Sequence, residues 1–122
     1  MTTKVIFIDG ACSGNPGPMR IAIYSDDLGL RIVKDVGIGT NNRAEYLALI
    51  YALIYVRHLN DKIIIKSDSQ LLVSQMNGDY KVKSASILLL FQKATSLLQK
   101  CQDRVRIIQI PREQNLADSL FH

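Results

Sequence analysis

Four acidic residues of this 122-residue chain fall where secondary-structure elements begin or end. Asp9 closes the apolar run 5–9 (VIFID), and Asp68 lies just past the β-branched run 62–67 (KIIIKS). Glu45 sits in the first turn of a helical segment read over residues 43–58, and Asp118 in or near the first turn of a short helix read from Asn115. Each has an ordinary alternative. Asn42 with Glu45 three residues on can be a capping pair, Asp68-Ser69 a helix cap, and Asp9-Gly10 a turn. Brought together, however, four carboxylates with no His or Cys among them repel one another unless a cation neutralises them. All-oxygen donors favour Mg²⁺ or Mn²⁺ over zinc. Two such ions about 4 Å apart activate a water and stabilise a leaving oxygen in phosphoryl chemistry.

Whether the four meet depends on the elements that carry them. Residues 5–9, 20–25, 30–38, 62–67 and 105–110 read as strands, from their β-branched content or their alternation. A DDLG turn between the second and third predicts a hairpin. Residues 43–58 form a helix that is apolar on nearly all sides and therefore buried, its tyrosines included. Residues 69–76 form a short helix stopped by Asn77-Gly78, and residues 84–101 carry one apolar helical face. Counting the two segments between strands four and five as one crossover, the order is βββαβαβα. Ten residues join strands one and two, too few for a parallel crossover, so strand two is antiparallel. Strand three then points with strand one, and right-handed helical crossovers return strands four and five parallel to it. The expectation is an α/β fold: a mixed five-stranded sheet, strand two antiparallel, with helices packed on both faces. All four carboxylates gather at the carboxyl edge of that sheet, where ligands bind in open α/β folds.

Composition fits this reading. Hydrophobic residues are 48% and charged residues 21%, as in a globular domain. The length allows one domain, 1–122. No apolar run approaches a membrane span and no secretory leader is recognisable, so no membrane partner is expected. Cys12 and Cys101 form no disulfide framework, and a reduced cytoplasmic chain is the default. Residues 1–61 carry six basic and six acidic side chains. Residues 62–122 carry nine basic and five acidic ones, the whole of the net +4. Setting the four carboxylates aside leaves fifteen basic against seven acidic residues, a balance suited to a polyanionic partner.

At these residues the chain resembles type 1 ribonuclease H. Residues 9–18 (DGACSGNPGP) are similar to that family's first block and Thr40-Asn41-Asn42-Arg43-Ala44-Glu45 to its second. Ser67-Asp68-Ser69-Gln70 is similar to the third, and Pro111-Arg112-Glu113-Gln114-Asn115 with Ala117-Asp118 to the fourth. The resemblance covers essentially the whole chain. It implies a ribonuclease-H-like fold and hydrolysis of the RNA strand of RNA–DNA hybrids, leaving 5′-phosphate and 3′-hydroxyl ends. It implies two Mg²⁺ ions, with Mn²⁺ as a possible substitute, on Asp9, Glu45, Asp68 and Asp118. It also implies substrate contacts from Gly10, Ala11 and Cys12 near ribose 2′-hydroxyls, from Asn15, Asn41, Asn42 and Gln70 in the minor groove, and from Thr40 to a DNA phosphate. The protein is expected to act as a monomer.

Three departures from the family pattern stand out. The stretch 110–118 has no histidine, where many members carry a mobile one. Only Leu116 and Ala117 separate Asn115 from Asp118, one residue fewer than is familiar. Residues 78–84 leave no room for a basic protrusion, so Lys81, Lys83, Lys93 and Lys100 are the remaining candidates for gripping nucleic acid. These departures keep a second reading open, a catalytically impaired module that binds hybrid or double-stranded RNA. A nucleotide-binding domain is disfavoured, because the glycine-rich loop lacks the GxGxxG and Walker spacings.

Overall fold

The β-branched runs form five strands: β1 (Thr3–Cys12), β2 (Gly17–Ser25), β3 (Leu30–Gly39), β4 (Lys62–Ser67) and β5 (Val105–Gln109). The helices are α1 (Asn41–Val56), α2 (Gln70–Met76) and α3 (Ala85–Lys100), and 3-10 turns form at Gln102–Arg104, Arg112–Gln114 and Asp118–Phe121. The structure is a computed structural model describing residues 2–122. The strand order is β3-β2-β1-β4-β5. β2 is antiparallel to both neighbours, and β1, β4 and β5 are mutually parallel, as the connection lengths require. The DDLG turn closes the β2–β3 hairpin with Gly29 at φ 67°, a value glycine adopts without strain.

One face of the sheet carries the core. Ile6 pairs with Ile65, Ile8 with Ile23, and Ile65 with Ile107, and these side chains pack with Tyr46, Leu49, Leu53, Leu72, Ile87 and Leu97 of the three α-helices. The opposite face is met near β2 and β3 by the Asp118–Phe121 turn, where the Arg20 guanidinium lies 5.0 Å from the centre of the Phe121 ring. The short helix expected from Asn115 begins only at Asp118 and does not become α-helical.

Several boundaries differ from the sequence reading. β1 continues three residues past Asp9, because Gly10, Ala11 and Cys12 pair with Ile21, Arg20 and Met19. Asp9 therefore lies within the strand, paired with Ala22, and does not close it. α1 begins two residues early: Thr40 is its cap, its Oγ1 accepting from the Arg43 amide at 3.3 Å. Glu45 accordingly falls in the second turn and caps nothing. Ser69, and not Asp68, caps α2, its Oγ accepting from the Leu72 amide at 3.2 Å. Tyr46 is buried as expected, but Tyr51 and Tyr55 are 37% and 48% exposed, on the part of α1 turned away from the core.

Candidate active site

β1 and β4 pair from Thr3↔Lys62 to Phe7↔Lys66 and then part. Asp9 on β1 and Asp68 just beyond β4 face the notch that opens there. Glu45 arrives from α1, whose backbone presses against Gly10. A Cβ on Gly10 would run into the Ala44 carbonyl carbon and the Glu45 amide nitrogen, so the close approach of helix to strand needs glycine. The Gly10 amide donates to Glu45 Oε1 and fixes that carboxylate over the strand. One oxygen from each of Asp9, Glu45 and Asp68 lies within 4.8 Å of the other two. Asp9 and Glu45 are each only 6% exposed.

Asp118 comes to the same place by a different route. It opens the last 3-10 turn and lines a cavity of about 280 Å³ with Asp9, Gly10, Ala11, Cys12, Asn41, Glu45, Asp68 and Arg112. It stands outside the set of three mutually close carboxylates. The buried Asn115 governs its approach. Asn115 Nδ2 donates to the Ile8 carbonyl and to Asp68 Oδ2, both at 2.9 Å, and its Oδ1 accepts from the Ala117 amide at 3.1 Å. The residue missing between Asn115 and Asp118 is absorbed in this turn, with the Asp118 carboxylate still on the cavity wall.

Electrostatics mark the cluster. Burial first, then the Asp68 charge and the hydrogen bond and charge of Asp118, raise the Asp9 pKa from 3.8 to about 7. Burial, followed by the charges of Asp9 and Asp68, holds Glu45 well above the ordinary carboxylate range against the lowering effect of the Gly10 amide. Carboxylates this crowded hold protons until a cation replaces them. Three oxygen donors at this spacing, with no sulfur or imidazole among them, fit a hard divalent ion.

The remaining predicted contact residues divide. Asn41 borders both this cavity and a neighbouring polar groove lined also by Asn15, Thr40, Asn42 and Gln75. Asn15 Oδ1 accepts from the Asn41 amide at 3.0 Å, so it also anchors the start of α1. Gln70 is exposed at the start of α2 and lines neither space. Gly10, Ala11 and Cys12 line the cavity from a strand, not from the expected loop. The Cys12 thiol donates to the Gly17 and Gly39 carbonyls, at 3.4 and 3.2 Å, as a tie between strands.

Residues 1–111 match the RNase H family model. This chain belongs to the RNase H family, type 1. Ribonuclease HI of Halobacterium salinarum is 36% identical over 122 residues, covering 93% of this chain and 60% of that protein. The bifunctional protein Rv2228c of Mycobacterium tuberculosis is 34% identical over 123 residues, 95% of this chain and 34% of that protein. The chain thus spans between a third and three-fifths of these curated relatives. Among solved structures, LC11-RNase H1 in complex with an RNA/DNA hybrid superimposes with a TM-score of 0.85 at 35% identity, covering 96% of this chain and 92% of that one. The RNase H fold read from the sequence is the fold observed. Two residues of the site carried no role in the sequence reading beyond membership of the fourth block. They are Asn115 as the tie to Asp68 and Arg112 on the cavity wall. No local pattern marks either one: the partners of Asn115 are distant in sequence, and Arg112 reaches the cavity wall from the turn after β5.

Proposed function

We propose that this RNase H family member is an endoribonuclease that hydrolyses the RNA strand of RNA–DNA hybrids, leaving 5′-phosphate and 3′-hydroxyl ends. The observation that carries the reading is the meeting of Asp9, Glu45 and Asp68 within 4.8 Å at the notch between β1 and β4. Asp9, Glu45, Asp68 and Asp118 would hold two Mg²⁺ ions, with Mn²⁺ as a substitute. Bound there, such ions would supply water activation and stabilisation of a leaving oxygen for an in-line displacement.

The chain's own groups do the positioning. Asp9 is central, close to Glu45, Asp68 and Asp118 alike. The Gly10 amide and the Asn115 amide group each hold one carboxylate in place. The cavity floor formed by Gly10, Ala11 and Cys12 brings backbone close to the substrate, which suits recognition of ribose 2′-hydroxyls. The groove of Asn15, Thr40, Asn41 and Asn42 continues from it and offers side-chain amides to the minor groove and a hydroxyl to a phosphate. No covalent intermediate is needed, so the absence of an activated Ser or Cys is consistent with the chemistry.

We take residues 1–122 as one unit acting as a monomer in the cytoplasm. Two free cysteines are compatible with that compartment. No helix among the described residues is long and apolar enough to cross a membrane.

The second reading, a module that binds hybrid without cutting, draws on Asp118 standing outside the close three. Incubation of a labelled hybrid with and without Mg²⁺ separates the two. Mg²⁺-dependent cutting of the RNA strand supports the first. Retention of the hybrid without cleavage under all divalent ions tested supports the second.

A further inference from the structure

We propose that Gln75 is a positioning residue: together with Tyr46 it pins the loop of residues 77–83 to α1, and so sets how tightly the chain holds a hybrid. The inference rests on the hydrolase reading above and gives a role to two buried polar groups that it does not use. Gln75 is only 6% exposed and Tyr46 only 1%. The Tyr46 hydroxyl donates to Gln75 Oε1 at 2.6 Å, and Gln75 Nε2 donates to the Lys81 carbonyl at 3.4 Å. Burial pushes the Tyr46 pKa up to about 12, so the phenol keeps the proton that the first bond needs. One amide thus joins α1, α2 and the loop that follows α2.

The loop has few other ties. Its Asp79 and Tyr80 amides both donate to the Ser74 carbonyl, at 2.8 and 3.1 Å, which turns the chain back along α2. Beyond them Val82 packs against the core. Gln75 supplies the one hydrogen bond made to residues 81–83 among the described residues.

What the loop carries is positive charge. Lys81 and Lys83, with Leu71 and Tyr80, line a cavity of about 450 Å³. Leu71 also borders the polar groove of Asn15, Thr40 and Asn42, and Asn41 joins that groove to the carboxylate cavity. Shared lining residues therefore link the carboxylates to the two lysines. A loop whose backbone is already ordered loses less entropy when a polyanion binds, so the tie strengthens binding without touching the chemistry.

The test compares the full chain with Tyr46→Phe and Gln75→Leu. Tyr46→Phe isolates positioning, because its ring still fills the core and Tyr46 lines neither the groove nor either cavity. In steady-state cleavage of a labelled hybrid in Mg²⁺, each variant should raise KM about fivefold and leave kcat within about twofold of the parent. In a Lys81→Ala, Lys83→Ala background the same two changes should raise KM no further, since the tie acts through the loop that carries those lysines. Without nucleic acid, hydrogen exchange of the Asp79 and Tyr80 amides should quicken about tenfold in both variants. A parental KM in Tyr46→Phe, unchanged exchange in the loop, or a full further rise in the background without the lysines overturns the assignment. A parent that cuts no hybrid would instead fail the hydrolase reading, while loop exchange and equilibrium hybrid binding of the same variants still decide the role of Gln75.

Discussion

The two sides of the carboxylate cavity are built differently. Asp9 and Glu45 stand on β1 and α1, which pack against each other in the core, and Glu45 is held by the Gly10 amide. Asp118 stands on a 3-10 turn at the other wall, 27% exposed in its side chain, with His122 Nε2 3.8 Å from its Oδ2. The first side is part of the core and inherits its rigidity. The second is positioned by the side chain of Asn115 and by the packing of its turn on β2 and β3. Chemistry that needs all four groups is therefore limited by the less supported wall, and substitutions on the two sides should differ in kind as well as in size.

The largest effect belongs to the rigid side. Asp9→Asn should reduce hybrid cleavage more than 10³-fold, because the central carboxylate neighbours the other three. Hybrid affinity should largely survive, since groove and phosphate contacts come from other residues. Turnover near the parent's rate would remove Asp9 from the chemistry.

Next is the pH dependence of the metal-free fold. The native state keeps a proton on Asp9 up to about pH 7, whereas the unfolded chain releases it near 3.8. Between those values the native state binds more protons, so stability must fall as pH rises and level off above about 7. A shift of this size corresponds to on the order of 4 kcal/mol. Urea midpoints in EDTA from pH 4 to 8 read it directly. Asp9→Asn should flatten the decline, and Mg²⁺ at pH 8 should restore stability in the parent. Stability that climbs through this window in EDTA would show that the carboxylates are not crowded as described.

How much of this was legible in the sequence follows the same division. β4 was readable to the residue, because Ile63, Ile64 and Ile65 leave no other conformation as favourable and Ser67-Asp68 ends the run. Strand directions followed from connection lengths, and the meeting of the carboxylates at one sheet edge from those directions, although Asp9 lies within β1 and Glu45 in the second turn of α1. Gly10, Ala11 and Cys12 were misread as a loop because glycine beside an aspartate signals a turn. Their strand pairing is imposed by Met19, Arg20 and Ile21 across the hairpin. Tyr51 and Tyr55 were assigned to the core because a helix apolar on every side gives no indication of which face is left uncovered. The role of Asn115 was invisible for another reason. Its partners, the Ile8 carbonyl and Asp68, lie 107 and 47 residues away, and no local pattern encodes them.

On the less supported wall, Asp118→Asn should lower cleavage at saturating Mg²⁺ by about 100-fold, a smaller loss than at Asp9, with the thermal midpoint nearly unchanged. An unaltered rate would reduce Asp118 to a residue of the terminal turn and leave the site to the other three carboxylates.

The smallest effect tests the tie itself. Asn115→Ala removes two donated bonds and one accepted bond at a site only 5% exposed. The Ile8 carbonyl and the Ala117 amide then lose their side-chain partner, and Asp68 loses the donor that holds it toward the cavity. Leaving buried groups unpaired costs about 2 kcal/mol in this setting. The thermal midpoint should therefore fall, where Asp118→Asn leaves it in place. Activity should fall about tenfold, because Asp118 is still present but its turn is no longer pinned. The two changes should also combine less than additively in cleavage, since the asparagine acts largely through the aspartate it positions. Fully additive losses in the double variant would mean that Asn115 serves the reaction through Asp68 alone, and the weaker wall would then owe its geometry to the backbone of the 3-10 turn.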